Sequence, residues 1–565
     1  MRHQVDPRQS WLFDPVGEGL SPKSLAKLKA DWPGLFRESI LAAMPVDAVG
    51  AAFDPDMGRP TKELYSMCGL VLLMEFNNWT VPEAVDQYVY NMKVHYALNL
   101  ASSGLELTAR TLERYRRVFR EKDVAELVMR DVTDKLVELL GISVDKLRLD
   151  STHVFSNMAA WGRTRLMTEV VRQFLTQLKR HEADLHAQLP GALLDRYAKA
   201  GGWNLGAKAD VEARRMARQA VAEDMHELIS RFEAVEAVAK RNTFKDMVRV
   251  FGEQCEVAAE DGKVSVRDKA PSDCLQNPSD PDAAYSGHKG TGYQAQMAET
   301  CSPDNLVQLV VGVIPEPANK PDSEAVGAML DLLEAAGHKP DEVLADTSYG
   351  SDANVEAAAA RGVKLVAPAS KGRGDGRLGL EDFKFDASGV KIVGCPAGHA
   401  PASSSFDEGK GRAAFDADVC AACPMLDKCP THQHGKRRVV KYGDKELRLA
   451  RRRAWEGTPQ FKESYSPRAG IEGLFGCLKT TMGLGRLRVR GEDSVYMELY
   501  LKVAGHNILR AAKGLAKRGN TGDQALSAAR LVFVAAVLRK WLVSGIINGK
   551  GGRKTTVATF VYAAA

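Results

Sequence analysis

No run of 18 apolar residues occurs anywhere in the 565-residue chain, so no membrane-spanning helix is expected. The hydrophobic stretch Leu531 to Val543 contains Arg539 and Lys540 and reads as a packed helix. Cysteine is scarce. Of nine, those at 68, 255, 274, 301 and 477 stand singly and no secretory signal precedes them, which argues against a disulfide framework. Proline nearly vanishes between Arg163 and Phe251, where Ala, Leu, Glu, Lys and Arg dominate, so long helices are expected there. A large excess of one charge is also missing, the formal net charge being +5. With 45% hydrophobic residues the chain can bury a substantial core, and its length suits about three domains.

The near-balance of charge is uneven. Residues 436–490 hold fifteen Lys and Arg against five Asp and Glu, which leaves the rest of the chain net acidic. The densest clusters are Lys436-Arg-Arg438, Arg451-Arg-Arg453 and Arg486-x-Arg488-x-Arg490. A charge run is ordinarily a solvated face. This one brackets Tyr465-Ser-Pro-Arg468-Ala-Gly-Ile-Glu472-Gly-Leu-Phe-Gly-Cys-Leu-Lys479, with the spacing Tyr-x2-Arg-x3-Glu-x6-Lys. Read as one helix, the four residues fall close to a single stripe. A carboxylate beside two cations and a phenol suits a polyanion: Glu472 can hold a divalent metal while Arg468 and Lys479 grip phosphates. The plainer alternative is a charged amphipathic helix with i,i+4 pairing. A basic block around a metal carboxylate argues for a nucleic-acid channel.

Two-metal phosphodiester chemistry needs further carboxylates from other elements. Val144-Asp-Lys-Leu-Arg-Leu149 alternates roughly as a strand and ends in Asp150-Ser-Thr-His153; Glu342-Val-Leu-Ala345 ends in Asp346-Thr-Ser-Tyr349. The C-terminal ends of buried strands are where open α/β sheets place ligand-binding groups, although such an Asp often only caps a turn or helix. Between the two lie a hairpin, Gly292–Glu299 and Leu306–Ile314 around Cys301–Asn305, and a helix from Ser323 to Ala336. After Asp346 a helix over Asp352–Arg361 and a strand over Val363–Ala367 are expected.

The ordered acids Asp150, Asp346 and Glu472, with the Tyr-Arg-Glu-Lys spacing, resemble the DDE transposases of bacterial insertion sequences, over about 58–510. The resemblance implies an α/β, RNase H-like catalytic core at 140–156, 285–370 and 455–515. It implies an enzyme that cuts the ends of a mobile element by metal-dependent hydrolysis and joins the freed 3′-OH to target DNA. The three acids would hold two Mg²⁺ (or Mn²⁺) ions. Arg468 and Lys479 would clamp the backbone, and Tyr465 would contact phosphate or base. Arg486, Arg488 and Arg490 would line the DNA path. The partners implied are double-stranded DNA, as terminal inverted repeats and target, and a second copy of the chain. The setting implied is the bacterial cytoplasm, at the nucleoid. A nuclease without strand transfer, or an inactive DNA-binding regulator, are the alternatives. His153 reads as a local hydrogen-bonding residue, and Trp161 and Trp203 as core residues or base-stacking rings.

Residues 1–130 read as a separate helical domain for DNA-end binding or dimerisation. Thr80-x-x-Glu83 is a capping box, and a helix starting near Thr108 carries Arg110, Arg114 and Arg117 on one face. Residues 157–284 form a mainly helical insertion, with a break at 201–206, that serves as an arm or as an inert bundle. Residues 516–565 read as a helical tail. A second insertion, 371–445, carries Cys395 and Cys420-x2-Cys423-x5-Cys429. Four thiols within 35 residues suit a structural Zn²⁺ site, with His399, His432 and His434 as substitute ligands, or a cluster of ordinary reduced thiols.

Overall fold

The computed structural model describes residues 1–9, 11–12, 14–101, 105–198, 210–370 and 376–520. The break at 201–206, Trp203, the start of the second insertion at 371–375 and nearly all of the 516–565 tail lie outside the described residues.

Five strands form the central sheet: β1 (Lys146–Val154), β2 (Gly290–Thr300), β3 (Val310–Pro317), β4 (Glu342–Ala345) and β5 (Lys364–Val366). Their order is β3-β2-β1-β4-β5, with a short strand, Ala284–Ser286, also on β2. Strand β2 runs antiparallel to β1 and β3, while β1, β4 and β5 are parallel. The elements follow the sequence reading: hairpin, helix, strand, helix, strand. Helix α8 (Ala325–Ala335) precedes β4, and α9 (Asp352–Ala360) precedes β5.

Alternation in β1 gives the sheet two different faces. Leu147 and Leu149 face one way and pack with Ala298, Val311 and the α8 residues Val326, Met329 and Leu333. Arg148, Asp150, Thr152 and Val154 share the other face, where Val154 meets Tyr293, Ala295 and Met297 in a much larger apolar cluster. That cluster continues through the N-terminal helices α1 (Leu64–Phe76), α2 (Val81–Tyr90), α3 (Ala109–Glu121) and α4 (Val124–Leu140). It also takes in two later helices, α12 (Gly470–Thr480) and α13 (Glu492–Asn520).

The N-terminal helices therefore share one apolar core with the sheet face that carries Asp150. The reason is in α1, which is buried almost all round and needs apolar partners on several sides. Helix α4 crosses the boundary drawn at 130. The expected caps are in place, with a full Thr80–Glu83 capping box on α2 and Thr108 capping α3. A further short helix, Met92–Ala97, stands between α2 and α3, so the pair is not a standard helix-turn-helix.

Residues 163–254 and 380–443 each have an apolar core of their own. Helices α5 (Arg163–His181), α6 (Val211–Phe232) and α7 (Asn242–Gln254) enclose Phe174, Met225, Phe232 and Met247. Trp161 packs at the edge of this bundle. The second insertion folds as a four-stranded antiparallel sheet: β6 (Ser403–Asp407), β7 (Lys410–Asp416), β8 (His432–His434) and β9 (Arg437–Gly443). Helix α10 (Asp444–Glu456) leads back to the core and α11 (Pro459–Tyr465) follows it.

Candidate active site

Leu149 of β1 is in register with Ala345 of β4, so Asp150 and Asp346 occupy the next positions on adjacent parallel strands. Neighbouring strands lie about 4.8 Å apart, which brings the two backbones into one small region. Asp346 stands at the end of β4, where its carboxylate accepts from the Ser348 amide at 2.8 Å and from the Ser348 hydroxyl. Asp150 accepts from the Ser151 amide at 2.8 Å. Burial pushes the Asp150 carboxyl above the ordinary aspartate range; nearby Arg468 opposes this and Asp346 adds to it.

The motif segment is not the single α-helix expected. Helix α11 ends at Tyr465, a 3₁₀ turn runs over Ser466–Ala469, and α12 starts at Gly470. Pro467 is the cause, since it has no N–H to continue the α ladder. The turn brings Arg468 onto Asp150, with Nη2 2.7 Å from Oδ2. The Tyr465 hydroxyl donates to the Ala345 carbonyl at 2.9 Å, one residue before Asp346. Within α12, Ile471, Leu474 and Leu478 are buried, while Glu472 and Lys479, seven apart on a neighbouring face, are exposed.

Behind the aspartates lies a polar group that sequence reasoning missed. Lys289 donates to Ser151 Oγ at 2.6 Å, to Gln294 Oε1 at 2.8 Å and to the Asp322 carboxylate at 2.9 Å. Buried Gln296 donates to Asp322 at 3.0 Å and accepts from the Tyr349 hydroxyl at 2.5 Å. Asp322 is thus a fourth acid beside the site, already paired with a cation. The only signal was the glycine-flanked Lys289 just before β2, which carries no spacing rule. His153 donates from Nε2 to the Thr291 carbonyl at 3.2 Å, the local role expected of it. Burial foremost, then Lys479 and Lys289, lower its pKa to about 4 against the raising effect of that bond. It is therefore neutral near pH 7.

The basic clusters divide into two kinds. Arg451, Arg452 and Arg453 donate to the Gly389, Gly350, Ala367 and Ser370 carbonyls, with Arg451 still exposed, so they tie α10 to the segments around it. Arg486, Arg488 and Arg490 are exposed and alternate with Leu487 and Val489. This segment continues beside the end of β1, with the Leu487 amide on the Phe155 carbonyl at 2.8 Å and the Asn157 amide on the Val489 carbonyl at 2.7 Å. Arg110, Arg114 and Arg117 are exposed on α3, Arg114 lying over the Phe53 ring.

Cys395, Cys420, Cys423 and Cys429 line one small cavity together with His399. Burial, followed by Cys429 and Cys395, raises the Cys420 thiol pKa. His432 and His434 are exposed on β8. Among the described residues, no three His, Cys, Asp or Glu side chains stand together as a preformed metal site, at the aspartates or at the thiols.

Residues 394–512 match a family model described as "Transposase DDE domain". The match covers residues 394–445 of the second insertion, Tyr465, Arg468, Glu472, Lys479, Arg486, Arg488 and Arg490, and does not reach Asp150 or Asp346. No curated protein matches the chain. Among solved structures, the chain is similar to one titled "Cryo-EM structure of piggyBac transposase synaptic complex with hairpin DNA", at 10% identity over 94% of this chain and 87% of that one. The TM-score is 0.29, too low to carry an argument.

Proposed function

We propose that the chain is a DDE transposase with an RNase H-like core, using Asp150, Asp346 and Glu472 as its acids. The observation that carries the reading is the convergence at one sheet edge. Asp150, within β1, and Asp346, just past the end of β4, occupy neighbouring positions on adjacent parallel strands, and the segment bearing Arg468 and Glu472 docks on both through Arg468 and Tyr465. The β3-β2-β1-β4-β5 order with β2 reversed supports the core assignment. The DDE domain match over the third acid supports the class.

The three carboxylates are oxygen donors of the kind Mg²⁺ and Mn²⁺ prefer. Divalent ions bound there would supply an activated water and neutralise charge on the leaving 3′-oxygen. The chain's own residues do the rest. Arg468 exchanges Asp150 for a DNA phosphate, Lys479 grips the backbone seven residues along α12, and Arg486, Arg488 and Arg490 guide the flanking duplex. Two ends must be cut and joined together, so a dimer on DNA is the working unit. Cys395, Cys420, Cys423 and Cys429 would hold a structural zinc, which would fix the second insertion once the thiols closed on it.

Purified protein with Mg²⁺ or Mn²⁺ and DNA carrying the flanking terminal repeats should cut and join strands. Glu472→Gln should abolish both while DNA binding persists. Cutting without joining would make the protein a nuclease, and binding without cutting a regulator. Cutting that survives in Glu472→Gln would remove Glu472 from the site. For zinc, elemental analysis should find one ion per chain, absent from Cys423→Ser; no zinc in the wild type leaves ordinary thiols.

A further inference from the structure

Arg148 lies on β1 two residues before Asp150 and on the same face of the strand. It is almost wholly buried, yet its guanidinium is engaged at three points. Nε and Nη2 donate to Glu299 Oε2 at 2.8 and 2.7 Å, and Nη1 donates to the Pro467 carbonyl at 2.7 Å. Glu299 is the residue paired with Arg148 across the β1–β2 ladder and is completely buried. Arg510 of α13 stands 3.8 Å from its other oxygen. A carboxylate in that position fixes the guanidinium plane, because the fork is rigid.

Pro467 belongs to the 3₁₀ turn that carries Arg468 and leads into the Glu472 helix. The helix begins with Gly470, where an added Cβ would lie 1.9 Å from Arg148 Nη1 and 2.6 Å from Cζ. Only a residue without a side chain lets the guanidinium lie against the start of α12. Two further ties hold the same segment: Lys146 Nζ on the Ser464 carbonyl at 3.3 Å, and Tyr465 on Ala345. From the strand that carries the first acid, two side chains meet the turn itself. Asp150 takes the Arg468 side chain, and Arg148 takes the backbone.

We infer that Arg148, braced by Glu299, is a positioning residue that sets the Glu472 helix and Arg468 relative to Asp150, with Gly470 providing the space. The inference rests on the transposase reading for its functional consequence, though not for its structural one. Glu299 holds Nε and Nη2, and the remaining nitrogen reaches a backbone carbonyl in the motif itself, so a shift of the guanidinium moves the turn. Lysine in its place offers a charge for Glu299 but no planar fork to reach Pro467 as well.

The test uses the full chain with Arg148→Lys and, independently, Gly470→Ala, which keeps the Arg148–Glu299 pair and displaces the turn. Hydrogen exchange should rise over residues 464–472 in both variants with the rest of the sheet unchanged. Mn²⁺ titrated calorimetrically into the DNA-free protein should bind roughly 10–100-fold more weakly, the range for removing groups that orient metal ligands. Cleavage in Mg²⁺ should fall over the same range with DNA affinity retained. Unchanged exchange at 464–472 overturns the inference, as does exchange that rises evenly across the protein. Unchanged Mn²⁺ affinity with a loosened turn overturns its functional part. A wild type that neither binds Mn²⁺ nor cuts removes the transposase reading, while the exchange data still decide whether Arg148 holds the turn.

Discussion

Tyr465 sits where spacing alone suggests a contact to DNA, yet its hydroxyl is turned inward onto the Ala345 carbonyl and its ring stacks on Phe461 at 5.1 Å. Burial raises its pKa, so it stays a neutral donor. A donor spent on the backbone next to Asp346 does more to place that strand end than to hold a phosphate. Tyr465→Phe removes one hydrogen bond and should cost about 1 kcal/mol of stability, read from urea unfolding, with DNA affinity unchanged in fluorescence anisotropy. Weakened DNA binding at unchanged stability would restore the phosphate contact. The four motif residues stand out in sequence by their spacing, although the segment is two helices joined by a 3₁₀ turn and not one helix. The acceptor of Tyr465 was not, since it lies 120 positions away and is a backbone atom. Lys289 and Asp322 were hidden for the same reason: each is an ordinary charged residue until the fold joins them.

Between elements, the docking of α13 on α1 and α3 depends on charge as well as on apolar packing. Lys502 of α13 is 3.5 Å from Glu75 of α1, and Arg116 of α3 is 3.4 Å from Glu75 and 3.7 Å from Glu498. All four side chains are buried. Burial, then the Glu75 charge, holds the Glu498 carboxyl well above the usual glutamate value of 4.5, against the pull of Lys502 and Arg116. The folded protein thus keeps a proton that the unfolded chain releases. Stability should fall as pH rises above the ordinary glutamate range, by at most about 1.4 kcal/mol per unit, until Glu498 itself ionises. Glu498→Gln should flatten that slope in urea titrations across a pH series; an unchanged slope would assign it to other groups. Elements with local signatures were readable. The strands carrying Asp150 and preceding Asp346 follow from short apolar runs, although the first runs on past Asp150 to Val154, and α2 follows from its capping box. The merging of the N-terminal helices with the core was not, because periodicity marks an apolar face without naming its partner.

At the scale of the whole molecule, a net charge of +5 is a poor guide to where a polyanion would lie. The fold commits part of the basic block to backbone carbonyls, through Arg451, Arg452 and Arg453, and leaves another part exposed and uncommitted to such contacts. Arg486, Arg488 and Arg490 belong to a segment that runs beside the end of β1, pinned by Phe155 and Asn157 on one side. All three cations are exposed, Arg488 at a bend with its guanidinium 4.0 Å from Glu83 of α2. Arg110, Arg114 and Arg117 form a second exposed set on α3, separated in sequence from the acids. If the first set tracks the backbone, replacing all three by Gln should weaken binding to any duplex alike. The slope of log affinity against log salt should then shrink by roughly 0.9 for each phosphate that is no longer neutralised. Replacing the α3 set should instead weaken terminal-repeat DNA more than unrelated duplex, if that helix reads the ends. An unchanged salt slope in the first variant would make Arg486, Arg488 and Arg490 a solvated edge and move the DNA path elsewhere on the surface. Equal weakening on both duplexes in the second would leave end recognition to another part of the chain.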